Sequence, residues 1–463
     1  MRIHEAAMKV MEKSGIEFLS QEAREILAAG GARVEGKKVF FSEALVQEYL
    51  QKAPSRFTLH ARNPANNVEV GGENTVLAPG YGAPFIMDLE GGKRRKSTFA
   101  DYEAFTRLAG QSPNVDVVGG VLAEPTDIPD NLRHARMLYT AVKETDKCLM
   151  GSAMGGQKAA QCLEMAAIIH EDRDFVRKNP VFITLINTNS PLQIDGRMLD
   201  ALMVYARHQQ PVVVASLSMT GTTAPATLAG ALVQQNAEIL AGIVFAQMVN
   251  PGTPVVYGSA SSVVNLKTGG LAIGGPETAK MFAGTAQLAR FYGLPSRGGG
   301  SLTDALIPDA QSGYESMMVF MAAVQSGMNF ILHSMGLLEN YMTMCFEKFI
   351  IDDEICGMVK NFFQGIPLDG DHLAGEVITE VGSGGNYIAH MHTFNHMRDL
   401  RDPIVSLRTG YSGAALEDTA LRAGQKCREI LDSYQPPPLK AGVEEDLRKY
   451  MEGLPQGPGG VSK

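Results

Sequence analysis

The sequence predicts an α/β fold: a (β/α)8 TIM barrel preceded by an N-terminal helical cap and followed by a C-terminal helical extension. Three observations carry this. Short apolar runs recur eight times, at 75–79, 115–121, 148–152, 181–187, 211–217, 254–258, 294–298 and 329–333. Between successive runs lies enough chain for a helix, with apolar residues spaced i, i+3, i+4; 199–207 and 226–245 are the clearest cases. The runs are apolar throughout rather than alternating, which marks strands of a covered parallel sheet, and eight strand–helix units close naturally into a barrel. An open doubly wound sheet is the main competitor, but no GxGxxG follows the early strands.

Residues 1–70 read as the cap, with helices expected from His4 to Lys13, Ser20 to Ala29 and Ser42 to Lys52, then a strand at 57–60. Ser20 and Ser42 are expected N-caps, because a hydroxyl can accept from the free amides of a first turn. Residues 71–365 hold the eight barrel units. Residues 366–463 form a helical annex, with a helix over 414–433 that stops before Pro436-Pro437-Pro438, and a Pro/Gly tail from Gly453 to Lys463.

Of the 463 residues, 45% are hydrophobic and 20% charged, which suits a folded core and excludes a largely disordered chain. The net charge of -9 argues against a nucleic-acid partner, since a phosphate backbone calls for clustered cations. The tight basic run Lys93-Arg94-Arg95-Lys96 is expected in a solvated turn. Five widely spaced cysteines without a CxxC suit free thiols in a reducing compartment. The start of the chain lacks the pattern of a signal peptide, and no apolar stretch reads as the ~18 residues of a membrane span, so a cytoplasmic location is expected. By analogy with other large barrels, a homo-oligomer is one expected state.

In a barrel of this kind, the loops after the strands build the active site. Those loops hold amides, hydroxyls, glycines and aromatics, with few strong acids or bases. No strand ends in the lysine of a Schiff-base enzyme, and only Asp304, His333 and Glu315 stand where a metal barrel needs a set of ligands. His390, His392 and His396 follow the barrel and have a ligand-like look, but spacings of two and four match no common zinc pattern; a polar cluster beneath the annex is the main reading, with a metal site as the alternative. The run Gly298-Gly299-Gly300 could cradle a phosphate or let a large flat partner approach the backbone.

The loop RGGGSLTDALIPDAQSGYES at 297–316, the later segment GSGGNYIAHMHTF and the QPPPL before the final helix occur in order over nearly the whole chain. With the barrel, they make this sequence resemble the trimethylamine methyltransferase family of corrinoid-dependent enzymes. Some members carry pyrrolysine in the loop that corresponds to 303–311. Here Leu306 stands at about that place, with neither pyrrolysine nor lysine, which resembles the non-pyrrolysine branch whose members demethylate quaternary amines.

That resemblance implies transfer of an N-methyl group from a quaternary amine to Co(I) of a corrinoid protein, with release of a tertiary amine. Glycine betaine is the first expectation, followed by proline betaine, carnitine and γ-butyrobetaine. The chain has no evident cobalamin-ligand motif, so the corrinoid is expected on a cognate partner protein. A quaternary nitrogen departs as a neutral amine without a proton, and an acid-poor barrel mouth agrees with that. Tyr81, Phe85, Tyr257 and Phe330 are the rings expected to hold the cation, although Phe330 also suits core filling. Arg297 and His333 are expected to meet the substrate carboxylate, Arg297 alternatively pairing with Asp304. Asp304 and His333 are the positioning candidates. Gly298, Gly299, Gly300 and Leu306 are expected to face the corrinoid. A non-catalytic betaine-binding barrel and an unrelated barrel lyase remain the alternatives.

Overall fold

Each of the eight apolar runs becomes a strand in the computed structural model, which describes residues 1–88, 92–410 and 417–455. The strands are β1 (Val76–Leu77), β2 (Val117–Gly119), β3 (Cys148–Met150), β4 (Phe182–Asn187), β5 (Val212–Ser216), β6 (Val255–Ser259), β7 (Ser296–Gly299) and β8 (Phe330–Leu332). They lie in the order 1-8-7-6-5-4-3-2, and every ladder is parallel. Asp116 closes the seam between β1 and β2. Its amide donates to the Leu77 carbonyl (2.9 Å), and its carboxylate accepts from the Leu77 amide (2.8 Å).

The barrel interior is an apolar column that includes Cys148, Ile183, Val213, Val256 and Phe330. Its lower end is stoppered by the hairpin of Arg56–Leu59 and Val68–Gly71, whose Phe57, Leu59 and Val70 join the same column. Each such fully buried side chain contributes roughly 1.5–3 kcal/mol.

The front helices are Arg2–Lys13, Gln21–Ala29 and Glu43–Leu50. The Ser20 and Ser42 hydroxyls accept from the amides of Ala23 and Leu45, the capping that the sequence predicts. Between these helices the strand Ile16–Phe18 pairs in parallel with Gln193–Ile194, in the loop after β4. The Phe18 ring also stands 5.7 Å from that of Phe245 on the long helix Leu228–Val249, so one apolar cluster runs from the front section into the barrel wall.

Two expectations are corrected. The helix Leu228–Val249 is long and apolar enough to cross a membrane by length and composition, contrary to the sequence reading, but 72% of its apolar window is buried inside the protein. Its place between the front helices and β5 explains the composition. The basic run is not a solvated turn: Arg94–Lys96 is a strand antiparallel to Phe85–Met87, and Arg95 grips Asp101 through two bonds of 2.6 and 2.7 Å.

After β8, the helix Phe346–Phe363 packs against Thr419–Ser433, while Ala441–Glu452 lies against Gly156–Ile169. The helix expected over 414–433 starts at Thr419, capped by Asp418. Its residues 414–416, and the tail from 456 onward, fall outside the described residues.

Candidate active site

Arg297 is the residue around which the barrel mouth is organised. It lies on β7 in register with Gly258 of β6 and Phe330 of β8, so it points into the barrel, and it is completely buried. Long, permanently charged side chains are seldom placed there without a counter-charge. No carboxylate meets this one among the described residues. One terminal nitrogen donates to the Ser259 carbonyl (2.6 Å), the other to Nδ1 of His333 (3.3 Å), and Nε has no partner. Burial pulls its pKa down to about 10.

His333 follows β8 and is held in the left-handed region, at φ 63°, a conformation that costs energy for a residue with a Cβ. Because Arg297 can only donate, Nδ1 of His333 must accept, which leaves the proton of the neutral ring on Nε2. Burial first, then the Arg297 charge, hold its pKa well below the ordinary histidine value. The ring is therefore neutral and cannot serve as the missing anion.

Two tyrosines complete the group. Tyr341 lies 4.8 Å from His333, ring to ring, and its hydroxyl is buried without a partner. Residues 339–341 all have positive φ, a strained turn that aims this side chain inward. Tyr81 follows β1 and is close enough to feel the Arg297 charge, although burial raises its pKa to about 12. Tyr81 also lines a cavity of about 230 Å³ with Gly120, Met150, Leu185, Asn187 and His134. A space of that size suits a small ligand.

Of the residues that the sequence nominates, Tyr81, Arg297 and His333 come together and four other expectations are corrected. Tyr257 is in register with Ser296 and faces outward; its hydroxyl donates to Asn236 of Leu228–Val249 (2.8 Å). Phe330 does face inward, but it is fully buried against the stopper hairpin and fills the barrel core. The Phe85 ring is already covered by the Arg94 guanidinium, at 3.5 Å. Gly298, Gly299 and Gly300 are buried, and a Cβ on them would strike Met328, Leu302 and the Ser334 backbone within 2.7 Å. These glycines admit neighbouring protein atoms, not a corrinoid or a phosphate.

Asp304 does not pair with Arg297. It accepts from the amides of Ile273 (2.6 Å) and Gly274 (3.2 Å) and so fastens the loop after β7 to the one after β6. Leu306 stands at the crest of that loop, 65% exposed, beside exposed Ile307. Met154, Leu217, Leu266 and Met342 are exposed in the loops after β3, β5, β6 and β8. These apolar side chains stand exposed on the loops around the rim, among polar ones such as Thr222, Asn265 and Lys267.

Tyr341 and Glu238 escaped the sequence reading. Glu238 is buried on Leu228–Val249 and accepts from the hydroxyls of Thr188, Ser190 and Ser216, at 2.7–2.8 Å, and from the Leu192 amide, at 2.9 Å. It anchors the loops after β4 and β5. Its signal was that it is the one charged residue of the helix Leu228–Val249.

A barrel mouth that gathers a buried guanidinium with no carboxylate partner among the described residues, beside aromatic rings and a small cavity whose lining also includes Glu124, Asp130 and Lys158, defines a site that positions a small ligand. The family model described as "Trimethylamine methyltransferase (MTTB)" matches residues 1–454, and the chain belongs to that family of methyltransferases. It is 49% identical to a glycine betaine methyltransferase of Desulfitobacterium hafniense strain Y51, over 97% of this chain and 94% of that one. It is 34% identical to a trimethylamine methyltransferase, MttB, of D. hafniense strain DSM 10664 / DCB-2, over 97% and 91%. Among solved structures, the monomethylamine methyltransferase (MtmB) of Methanosarcina barkeri shares the fold, with a TM-score of 0.54 at 10% identity over 98% of this chain and 92% of that one.

Proposed function

We propose that this methyltransferase takes a methyl group from a quaternary amine carrying a carboxylate, glycine betaine first, and passes it to a corrinoid carried by a partner protein. The observation that carries the substrate reading is the unpaired Arg297 guanidinium, buried in the barrel mouth beside neutral rings. Its free Nε and the adjoining terminal nitrogen offer a planar pair of donors that matches a carboxylate. Binding the substrate would supply the counter-anion that Arg297 lacks among the described residues.

Tyr81 and Tyr341 would hold the trimethylammonium end on their faces, at roughly 0.5–2 kcal/mol for each contact. The neutral His333 ring adds no charge repulsion to a cation. A reduced corrinoid, brought by the partner, would supply a cobalt nucleophile for the methyl carbon, while Arg297, Tyr81 and Tyr341 would hold the substrate for it. The electron pair of the broken N–CH3 bond stays on nitrogen, and the product leaves as a neutral tertiary amine. No protein acid is needed, so the chain's work is to orient one methyl outward and exclude water.

The exposed apolar side chains of Met154, Leu217, Leu266, Leu306, Ile307 and Met342 on the rim loops support docking of the corrinoid partner over the mouth. The relative of 49% identity, named for glycine betaine, supports the substrate. The five cysteines, all free and buried, agree with a cytoplasmic setting.

Incubating the protein with chemically reduced cob(I)alamin tests the reading by absorbance. Methylcobalamin should form with glycine betaine and not with trimethylamine. Formation with trimethylamine alone would overturn the substrate, and silence with every quaternary amine, repeated with a corrinoid protein, would overturn the reaction.

A further inference from the structure

The segment that leaves the helix Phe346–Phe363 has no core of its own. No residue from 361 to 400 is buried, and Ile366 and Ile388 are 85% and 83% exposed. Three short helices form there nonetheless, Gly370–Leu373, Gly375–Val381 and Met391–His396. Helices of one or two turns do not sustain themselves in water, and within this chain the contacts that hold the arm together are polar ones.

The two ends of the arm meet at imidazoles and carboxylates. His392 and His396, four residues apart on Met391–His396, lie on one helix face, with ring centroids 4.3 Å apart. Both turn Nε2 toward the same residue: His396 to Oδ2 of Asp371 (3.1 Å) and His392 to the Asp371 carbonyl (3.0 Å). One ligand atom from each of Asp371, His392 and His396 lies within 4.8 Å of the others. In a tetrahedral shell with bonds of about 2.0–2.1 Å, ligand atoms are roughly 3.3 Å apart, so small side-chain rotations complete the set. Nδ1 of His396 is bonded to the Asp399 carboxylate, the outer partner that fixes the tautomer of a ligating histidine. His372 stands 5.1 Å from His396, ring to ring, and belongs to a separate triple with His396 and Asp399; the fourth position of the first set is left to water.

We infer that Asp371, His392 and His396 bind a divalent transition-metal ion, zinc by their nitrogen and oxygen chemistry, which pins the arm in place of a hydrophobic core. Asp399 orients His396. His390 stands apart, facing Glu380 at 3.5 Å. The three histidines lie in a segment none of whose residues is buried, and the spacing of four places His392 and His396 on one face of a helix.

Protein purified without a histidine tag or chelator should carry about one zinc per chain by plasma mass spectrometry, and after EDTA treatment should rebind about one. The double variant H392N/H396N should lose that ion, and D399N should bind it about 10–100-fold more weakly. Chymotrypsin, which cuts beside the exposed Phe362, Leu368, Tyr387 and Phe394, should cleave the stripped protein faster than the zinc-loaded one. These positions lie outside the core, so an unchanged thermal transition of the barrel shows that the variants remain folded. Equal zinc binding by wild type and double variant, or none above background in wild type, overturns the site.

Discussion

Arg297 concentrates the argument at the scale of a single residue. It is a buried charge with no counter-ion among the described residues, so the proposed binding role predicts that its value lies in binding and not in folding. Arg297→Met should leave the melting temperature of the free protein unchanged or higher, while raising KM for glycine betaine about 100-fold, the scale of removing one partner of a buried charge pair. A large loss of stability would mark Arg297 as structural instead. His134 makes a second prediction at this scale. It lines the cavity beside Tyr81 without a hydrogen bond on either ring nitrogen, and burial first, then the Lys158 charge, lower its pKa to about 4. The unfolded chain therefore binds the proton more readily, so stability is full above about pH 6.5 and falls as the pH drops toward 4. The slope from this residue is at most about 1.4 kcal/mol per pH unit. Denaturant melts across that range should fall less steeply for His134→Gln; identical slopes would remove His134 from the account.

Among the elements, the loop after β7 joins the site to its surroundings. Asp304 and the packed glycines hold its base, and Leu306 and Ile307 present its crest. Replacing both crest residues by Glu should reduce methyl transfer to a corrinoid protein at least tenfold more than transfer to free cobalamin, because only the protein partner spans the rim. At the base, Gly300→Ala places a Cβ 2.7 Å from the Ser334 backbone and should cost about 1–3 kcal/mol in denaturant unfolding. The strands were legible because sheet buried on both faces reads as continuous apolar sequence. That same continuity hid which side chains face inward. Tyr257 and Arg297 both lie within strands, yet the register Tyr257 to Ser296 and Gly258 to Arg297 sends one outward and the other into the mouth. An alternating strand would have carried that phase in its sequence. Tyr341 was lost for another reason: it reaches the site through three consecutive left-handed residues that no periodicity announces.

For the whole molecule, the barrel forms a closed ring around Arg297, a buried charge without a carboxylate partner among the described residues. Its seam is sealed by Asp116, its lower end by a hairpin, and its wall by a long helix shared with the front section. The family relationship was legible from motifs that span the chain, whereas the arm's His and Asp cluster depends on contacts between residues 21 and 25 apart. The most direct measurement of the central claim is the kcat/KM for glycine betaine with reduced corrinoid, in wild type and Arg297→Met, with the released amine identified by mass. The account predicts dimethylglycine in a one-to-one ratio with methylated cobalt, and a loss of about 100-fold in the variant. Equal kcat/KM in the two proteins, or methylated cobalt without dimethylglycine, would contradict it.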